Sequence, residues 1–174
     1  MRILRTPKNK IKISFIIFIL SCCVFLNSCT FENNTHTYPK QEANKILDTL
    51  LIALENDDKQ SLKNLFAFNV QEQSENLDTQ IDEIINYFNG DVISYDKLSI
   101  NAEGESIDDG VITYYRIGNA RTGKVITNEA TYIISFSAII IDEDNKDNEG
   151  IWRIWIGKDE KDYMIVGISD MPLT

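Results

Sequence analysis

The chain has 174 residues, of which 43% are hydrophobic, and a formal net charge of −10. This length fits a single folded domain, and the apolar fraction argues against a wholly disordered chain. The acidic balance argues against a nucleic-acid-binding protein, which normally presents a basic face to its ligand.

The first 28 residues form a basic segment followed by an apolar one. They contain five of the 17 Lys and Arg residues and no acidic residue, and residues 13–26 are largely apolar. A basic start followed by such a run is typical of a secretory signal, whereas a membrane-spanning helix needs about 20 apolar residues. Without this segment the chain has 12 basic and 27 acidic residues, and therefore a net charge of −15.

The apolar run ends in Leu-Asn-Ser-Cys at residues 26–29. These residues resemble the bacterial lipobox, which has a large aliphatic residue three places before a cysteine and a small residue directly before it. The resemblance implies cleavage between Ser28 and Cys29 and attachment of diacylglycerol to the Cys29 thiol. A second match at residues 19–22 would leave the apolar residues 24–26 on the mature protein, so Cys29 is preferred. The alternative is an ordinary secretory signal or an uncleaved short anchor.

A lipid on Cys29 would place the protein at the membrane. Two acyl chains give stable anchoring where one is marginal, so we expect the domain on the extracytoplasmic face of the cell membrane.

Cys22 and Cys23 would be removed with the signal, which leaves the folded domain without a disulfide, a thiolate metal site or a cysteine nucleophile. Residues 29–41 are predicted to form a flexible tether, and residues 42–174 a single domain.

Helical periodicity begins after the predicted tether. Apolar residues recur at helical spacing over residues 43–54, 62–66 and 77–88, which predicts three helices. Asp57, with a Gln three places later, suits the N-cap of the second helix. Gly90 stands where a helix commonly ends in a left-handed residue.

After Gly90 the apolar residues recur at every second position, as in β-strands. Turn signals, such as Glu103-Gly104, separate five segments rich in β-branched and aromatic residues: residues 92–100, 111–117, 125–141, 151–156 and 163–168. In the third segment one apolar face is predicted to contain Tyr132, Ile134, Phe136, Ala138 and Ile140. Such alternation suits a sheet covered on one side. Helices followed by strands predict an α+β domain, with the helices on one face of a curved, mainly antiparallel sheet.

A wider resemblance covers about residues 42–168. A helix, the segment Ala53–Phe66, a further helix and a meandering sheet resemble the NTF2-like (cystatin-like cone) superfamily. More narrowly, Ile81–Asp96 and Asp147–Ile151 resemble a family of small lipoproteins from Firmicutes that is catalogued as a domain of unknown function. The resemblance implies a fold and leaves the activity open, because the superfamily includes enzymes, pocket binders and interaction modules.

The residue types that usually carry chemistry form no catalytic or metal pattern. His36, the only histidine, lies in the predicted tether, which argues against Ser-His-Asp catalysis or a multi-histidine metal site in the domain. The acidic segment 142–149 could attract calcium, but Lys146 replaces an EF-hand ligand, Asp147 the glycine and Arg153 the final glutamate. A solvated hairpin loop is predicted instead, and no catalytic residue, metal or cofactor is assigned.

A carboxylate near a tyrosine is the chemistry that the NTF2-like resemblance implies most directly, as in ketosteroid isomerases. Such a base needs a carboxyl group desolvated in a pocket. Tyr95 stands beside Asp96, and Tyr115 beside Arg116, but neither spacing matches the enzyme pattern. A small acid–base enzyme that uses a buried carboxylate and a tyrosine is therefore the second hypothesis.

Amphipathic aromatic residues are the candidates for a pocket lining. Trp152 and Trp155 are three positions apart and are predicted to lie on opposite faces of a strand. One would face the core, and the other, with Tyr115 or Tyr132, could line the mouth of the cone. Tyr95 is the fifth candidate.

The leading hypothesis is a membrane-anchored, extracytoplasmic lipoprotein that binds a small ligand or an envelope protein without catalysis. A third hypothesis is an immunity or assembly factor that acts by surface contact. The resemblance also allows a homodimer through the open sheet face, and no nucleic-acid partner is expected. The domain's basic residues are scattered singly along the sequence and predict no basic stripe: Lys59, Lys63, Arg116, Arg121, Lys124 and Arg153.

Overall fold

The computed structural model describes residues 37–159, 161–168 and 171. The predicted signal, Ser28, Cys29 and His36 therefore lie outside the described residues. Helix α1 (Thr37–Glu55) begins five residues before residue 42, where the folded domain was predicted to begin. Pro39 is compatible with this start because it stands in the first helical turn, where its missing N–H removes no helical hydrogen bond.

Three further helices follow α1: α2 (Lys59–Asn64), α3 (Phe68–Gln73) and α4 (Leu77–Tyr87). The three predicted helices correspond to α1, α2 and α4. Helix α3 was not predicted because its six residues bury only Val70 and show no apolar period. No helix in the described part of the chain is long and apolar enough to cross a membrane.

The N-cap of α2 is Asp58, so the prediction of Asp57 was wrong. The Asp58 carboxylate accepts hydrogen bonds from the backbone N–H of Ser61 at 3.0 Å and from its hydroxyl at 2.7 Å. Asp57 instead has a φ of 53° and forms the turn that separates α1 from α2. Asp tolerates this left-handed conformation better than most residues.

The sheet contains seven strands: β1 (Val92–Tyr95), β2 (Ser99–Asp108), β3 (Val111–Arg121), β4 (Val125–Thr127), β5 (Thr131–Asp142), β6 (Gly150–Gly157) and β7 (Tyr163–Gly167). The central strand β5 pairs with β3 and β4 along one edge and with β6 along the other. Strand β1 pairs with β4, β2 with β3, and β7 with β6, all antiparallel. The fold is therefore α+β, with helices followed by a large, curved, open antiparallel sheet. This confirms the predicted fold class.

The prediction of a turn at Glu103-Gly104 was wrong. Both residues lie inside the strand, and Gly104 stands opposite Arg116 of β3. A Cβ at Gly104 would lie 2.7 Å from the Arg116 Nε, so the glycine makes room for the arginine side chain to cross it. Here glycine marks a close side-chain contact within a strand rather than a turn.

The face of β5 that packs under the helices follows the predicted alternation for most of its length. Tyr132, Ile134, Phe136 and Ala138 are buried as expected. Beyond them Ile139 is fully buried, whereas the predicted Ile140 is only half-buried. The pairing of β5 with β6 shifts register just before Ala138, and such an irregularity interrupts the two-residue alternation.

Candidate ligand-binding groove

A groove of about 450 Å³ lies on the sheet face that points away from the helices. In β5, Ser135, Phe136 and Ser137 border the groove, although Phe136, like Ile134, is buried in the core. Alternation along the strand therefore places the serines on the outer face. Four neighbouring strands contribute lining residues, chiefly Asn119, Arg121, Ser135, Ser137, Arg153 and Trp155.

Strand register places these side chains in rows across the sheet. In the first row Arg121 stands opposite Ser135, Ser135 opposite Trp155, and Trp155 opposite Ile165. In the second row Ser137 stands opposite Arg153. The two arginines thus flank β5 from either side. Two strand spacings across the sheet and two residues along the strands separate their Cα atoms by about 12 Å.

The polar side chains that line the groove have no partner among the residues that the structure describes. Among the described residues, no side-chain hydrogen bond or ion pair involves Asn119, Arg121, Ser135, Ser137 or Arg153. No acidic side chain belongs to the described lining either. Ion pairs elsewhere engage five lysines: Lys40, Lys45, Lys59, Lys63 and Lys146. The groove is therefore a place of uncompensated positive charge in an acidic domain.

The structure brings two of the basic residues that are scattered along the sequence to one groove. Strand pairing brings Arg121 and Arg153, which are 32 positions apart in the sequence, to one groove. Arg116 lies on the same sheet face, because Tyr115 and Ile117 on either side of it are buried in the core. All three arginines that follow residue 28 are on this face.

Aromatic and aliphatic side chains form one end of the groove. The rings of Trp155 and Tyr163 stack at a centroid distance of 5.7 Å and an interplanar angle of 26°. A Cβ at Gly157 would lie 2.7 Å from the Trp155 Cη2, so this glycine lets the indole lie along the sheet. Tyr163 and Ile165 are each nearly half exposed. An apolar surface therefore adjoins the two arginines.

Of the five aromatic residues predicted to line a pocket, Trp155 lines this groove. Trp152 is buried on the other face, and its indole N–H donates to the Asn148 carbonyl at 2.8 Å. Tyr115 and Tyr132 are also buried in the core, whereas Tyr95 is exposed and donates to the Asp48 carboxylate at 2.7 Å. The structure does not bring these four residues to the groove.

Tyr115 is part of a tyrosine–carboxylate pair. Its hydroxyl donates to Glu103 Oε2 at 2.6 Å, and burial, followed by this hydrogen bond, raises the pKa of Tyr115. However, the Glu103 side chain is one third exposed, and its Oε1 lies 3.6 Å from the Lys40 Nζ. A partly solvated carboxylate paired with lysine does not meet the requirement for a desolvated general base.

The acidic loop after β5 is held together by its own hydrogen bonds. The Asp142 carboxylate, only 4% exposed, accepts from the Asn145 N–H at 2.9 Å and from Asn148 Nδ2 at 2.8 Å. Glu149 accepts from the Asp142 N–H and from Lys146, both at 2.9 Å. The prediction of a solvated hairpin loop over residues 142–149 was therefore wrong for Asp142, which is buried at the end of β5. The described residues contain no group of three or more His, Cys, Asp or Glu side chains that could hold a metal ion.

The fold and the groove define an α+β domain with a polar, partly aromatic groove on one face of its sheet. Residues 49–165 match a family model described as a domain of unknown function, DUF5104. Because this match covers about two thirds of the 174 residues, the chain belongs to the DUF5104 family. No curated protein matches the chain. The residues that line the groove all lie within the matched segment.

Proposed function

We propose that the protein is a lipoprotein anchored on the extracytoplasmic face of the cell membrane, with a domain that binds a small ligand without catalysis. The main support for the proposed binding function is the set of polar side chains in the groove that have no partner among the described residues. Polar groups that lack a protein partner bind water or a ligand. The groove volume of about 450 Å³ also falls within the range of small-molecule sites.

We also propose that the domain has the cone-like fold of the NTF2-like superfamily. The order of helices and strands and the open antiparallel sheet are compatible with it. Large side chains such as Ile134, Phe136 and Ile154 fill the space between the helices and the sheet. This packing favours a binding module over the acid–base enzyme, which would need a carboxyl group inside a pocket there.

The proposed anchor is supported by the basic and apolar segment 1–28 and by the lipobox-like residues 26–29. We expect metabolic labelling with a fatty acid to mark the full-length protein and to be lost in Cys29→Ala. Cys22→Ala is the matched control and should keep the label. Loss of the label only in Cys22→Ala would assign the lipid to Cys22, and an unlabelled parent protein would contradict the lipoprotein proposal.

The binding function is tested on the full-length protein purified in a non-ionic detergent. Native mass spectrometry should show a bound small molecule that is lost when Arg121 and Arg153 are both changed to Gln. The exposed Lys124, three residues after Arg121, lies outside the groove, so Lys124→Gln should retain it. A stoichiometric protein partner, kept by all of these variants, would instead favour the assembly-factor hypothesis.

A further inference from the structure

We propose that the groove binds a phosphate group attached to an apolar or aromatic body, held by Arg121 and Arg153 and packed against Trp155. This inference rests on the proposed binding function and specifies the chemical class of its ligand. Three observations carry it: the location of the arginines, the side chains between them and the apolar surface beside them.

The first observation is the separation of charge. The chain beyond residue 28 has 27 acidic and 12 basic residues, yet its three arginines share one sheet face. Neither Arg121 nor Arg153 forms an ion pair with a described residue. Unpaired arginines without neighbouring carboxylates create a local positive potential, which attracts anions.

The second observation is the set of donors around β5. Arg121 stands opposite Ser135, and Arg153 stands opposite Ser137, so two guanidinium groups flank two hydroxyls. Each guanidinium has five N–H donors in a planar fork that matches phosphate oxygens. A phosphate monoester spreads its charge over three oxygens that point in different directions. Donors on both sides of the anion therefore suit phosphate better than a planar carboxylate.

The third observation is the apolar surface in the same rows. Trp155 shares a row with Arg121 and Ser135, and it continues into Tyr163 and Ile165 of β7. The groove of about 450 Å³ is much larger than a phosphate ion needs. The remaining space, lined in part by an indole, suits an aromatic or aliphatic body attached to the phosphate.

The same features argue against a second copy of the chain as the occupant. In a two-fold contact the same patch lies on both subunits. The described groove lining has two arginines and no acid, so two grooves placed face to face would oppose like charges. A small anion neutralises these charges, whereas a homodimer through this groove would bring four of them together.

The test is a titration of tryptophan fluorescence in the full-length protein, purified in a non-ionic detergent, with phenyl phosphate. We expect phenyl phosphate to bind more tightly than inorganic phosphate or phenol, because only it fills both parts of the groove. Arg121→Gln and Arg153→Gln should each weaken binding about tenfold, the typical effect of losing a charge-assisted hydrogen bond. Trp155→Phe should remove the fluorescence change, which assigns the signal to Trp155 rather than Trp152.

Two control variants separate specific contacts from general charge. Lys124→Gln removes one positive charge near β3 outside the groove lining, and Arg116→Gln removes one on the same sheet face. Both should bind phenyl phosphate with nearly the parental affinity. Arg121 and Arg153 are exposed, so their Gln variants should unfold at the parental urea concentration, which keeps a binding loss distinct from misfolding.

A second titration distinguishes a soluble phosphate ester from a lipid headgroup. Dihexanoyl phosphatidic acid carries the same phosphate monoester on a lipid, and dihexanoyl phosphatidylcholine is its control. Tighter binding of the phosphatidic acid than of phenyl phosphate assigns the site to a headgroup, and the reverse order assigns it to a soluble ester. Either order supports the proposed ligand chemistry.

Three results would overturn the inference. The first is phenyl phosphate binding that is unchanged in both Arg121→Gln and Arg153→Gln, and the second is an equal loss in Lys124→Gln. The third is a dimer that Arg153→Gln dissociates, which would assign the face to a second copy. A bound small molecule in native mass spectrometry, without affinity for any phosphate probe, would reject this ligand class and leave the proposed function intact.

Discussion

The hydroxyl of Tyr132 accepts a hydrogen bond from the backbone N–H of Asn89 at 2.8 Å. The same hydroxyl donates to the backbone carbonyl of Tyr87 at 3.2 Å, at the last residue of α4. Tyr132 is fully buried in β5. A helix end leaves backbone carbonyls without a helical partner, and the Tyr87 carbonyl accepts from both the Tyr132 hydroxyl and Asn89 Nδ2. The Tyr132 side chain therefore joins the end of α4 to the central strand. A residue predicted to line a pocket therefore stabilises the fold.

Tyr132→Phe should lower the free energy of unfolding by about 2 kcal/mol. The phenylalanine keeps the ring but removes two partly buried hydrogen bonds, one from the Asn89 N–H and one to the Tyr87 carbonyl. Each such hydrogen bond contributes about 1 kcal/mol. Urea denaturation followed by circular dichroism measures the change. The control is Tyr163→Phe, which removes an exposed hydroxyl and should change stability by less than about 0.5 kcal/mol. Equal effects of the two variants would contradict the assigned role.

Gly150→Ala should destabilise the protein more than Gly110→Ala, although both glycines have positive φ angles of 128° and 80°. A Cβ at Gly150 would lie 2.6 Å from the Ala67 backbone nitrogen, whereas a Cβ at Gly110 meets nothing within 4 Å. Backbone strain alone costs about 1–2 kcal/mol, which is the effect expected at Gly110. The added overlap should raise the loss at Gly150 to about 3 kcal/mol or more.

The comparison of the two glycine variants also tests the junction beside β6. The Ala67 N–H donates to the Ile151 carbonyl at 3.0 Å, and the Ile151 N–H donates to the Leu65 carbonyl at 2.8 Å. These bonds connect the segment between α2 and α3 to the start of β6. A similar unfolding midpoint for both variants would show that this close approach of the two backbones does not restrict Gly150.

Asp142→Asn should lower the free energy of unfolding by about 2 kcal/mol, whereas Asp144→Asn in the same loop should have little effect. The Asp142 carboxylate accepts two hydrogen bonds, from the Asn145 N–H and from Asn148 Nδ2. An amide in its place would present an N–H₂ group to one of these donors and lose that bond. Asp144 is exposed. Thermal or urea unfolding of both variants measures the difference, and equal losses would contradict the structural role of Asp142.

Tyr87 should make the stability of the protein fall at alkaline pH. Burial, followed by the neighbouring Asp162, raises the pKa of Tyr87 to about 12, compared with about 10 in an unfolded chain. Because the folded state holds this proton more tightly, its stabilising contribution is complete below about pH 10 and is lost as the pH rises to about 12. Urea unfolding at a series of pH values should show a smaller alkaline loss in Tyr87→Phe than in the parent. An equally steep loss in both proteins would exclude Tyr87 as its source.

Local sequence patterns predicted most of the helices and strands. Helices α1 and α4 were found from apolar residues at helical spacing, and the core face of β5 from alternation up to Ala138. The errors have local explanations as well: α3 buries only Val70, and Gly104 lies in a strand because Arg116 crosses it. The predicted alternation was wrong after Ala138 because the pairing of β5 with β6 shifts register there. Such a shift depends on both strands and cannot be read from the sequence of one.

The candidate site was predicted much less completely than the fold. Trp155 was among the predicted lining residues, but Ser135, Ser137 and the two arginines were not. Each of these residues is unremarkable within its own strand, and the arginines are 32 positions apart. A sequence signal was nevertheless present, because Arg121, Ser135 and Arg153 alternate with buried neighbours and therefore had to lie on the outer face.

The sequence by itself determined that helices precede strands, since the apolar spacing of 3.6 or 2 is a local property of each segment. It also determined the acidity of the chain beyond residue 28. Only the tertiary structure decided that Arg121 and Arg153 line one groove and that Tyr132 binds the end of α4. The physical reason is that strand pairing and helix packing bring distant residues together, and the register of that pairing depends on all the elements at once.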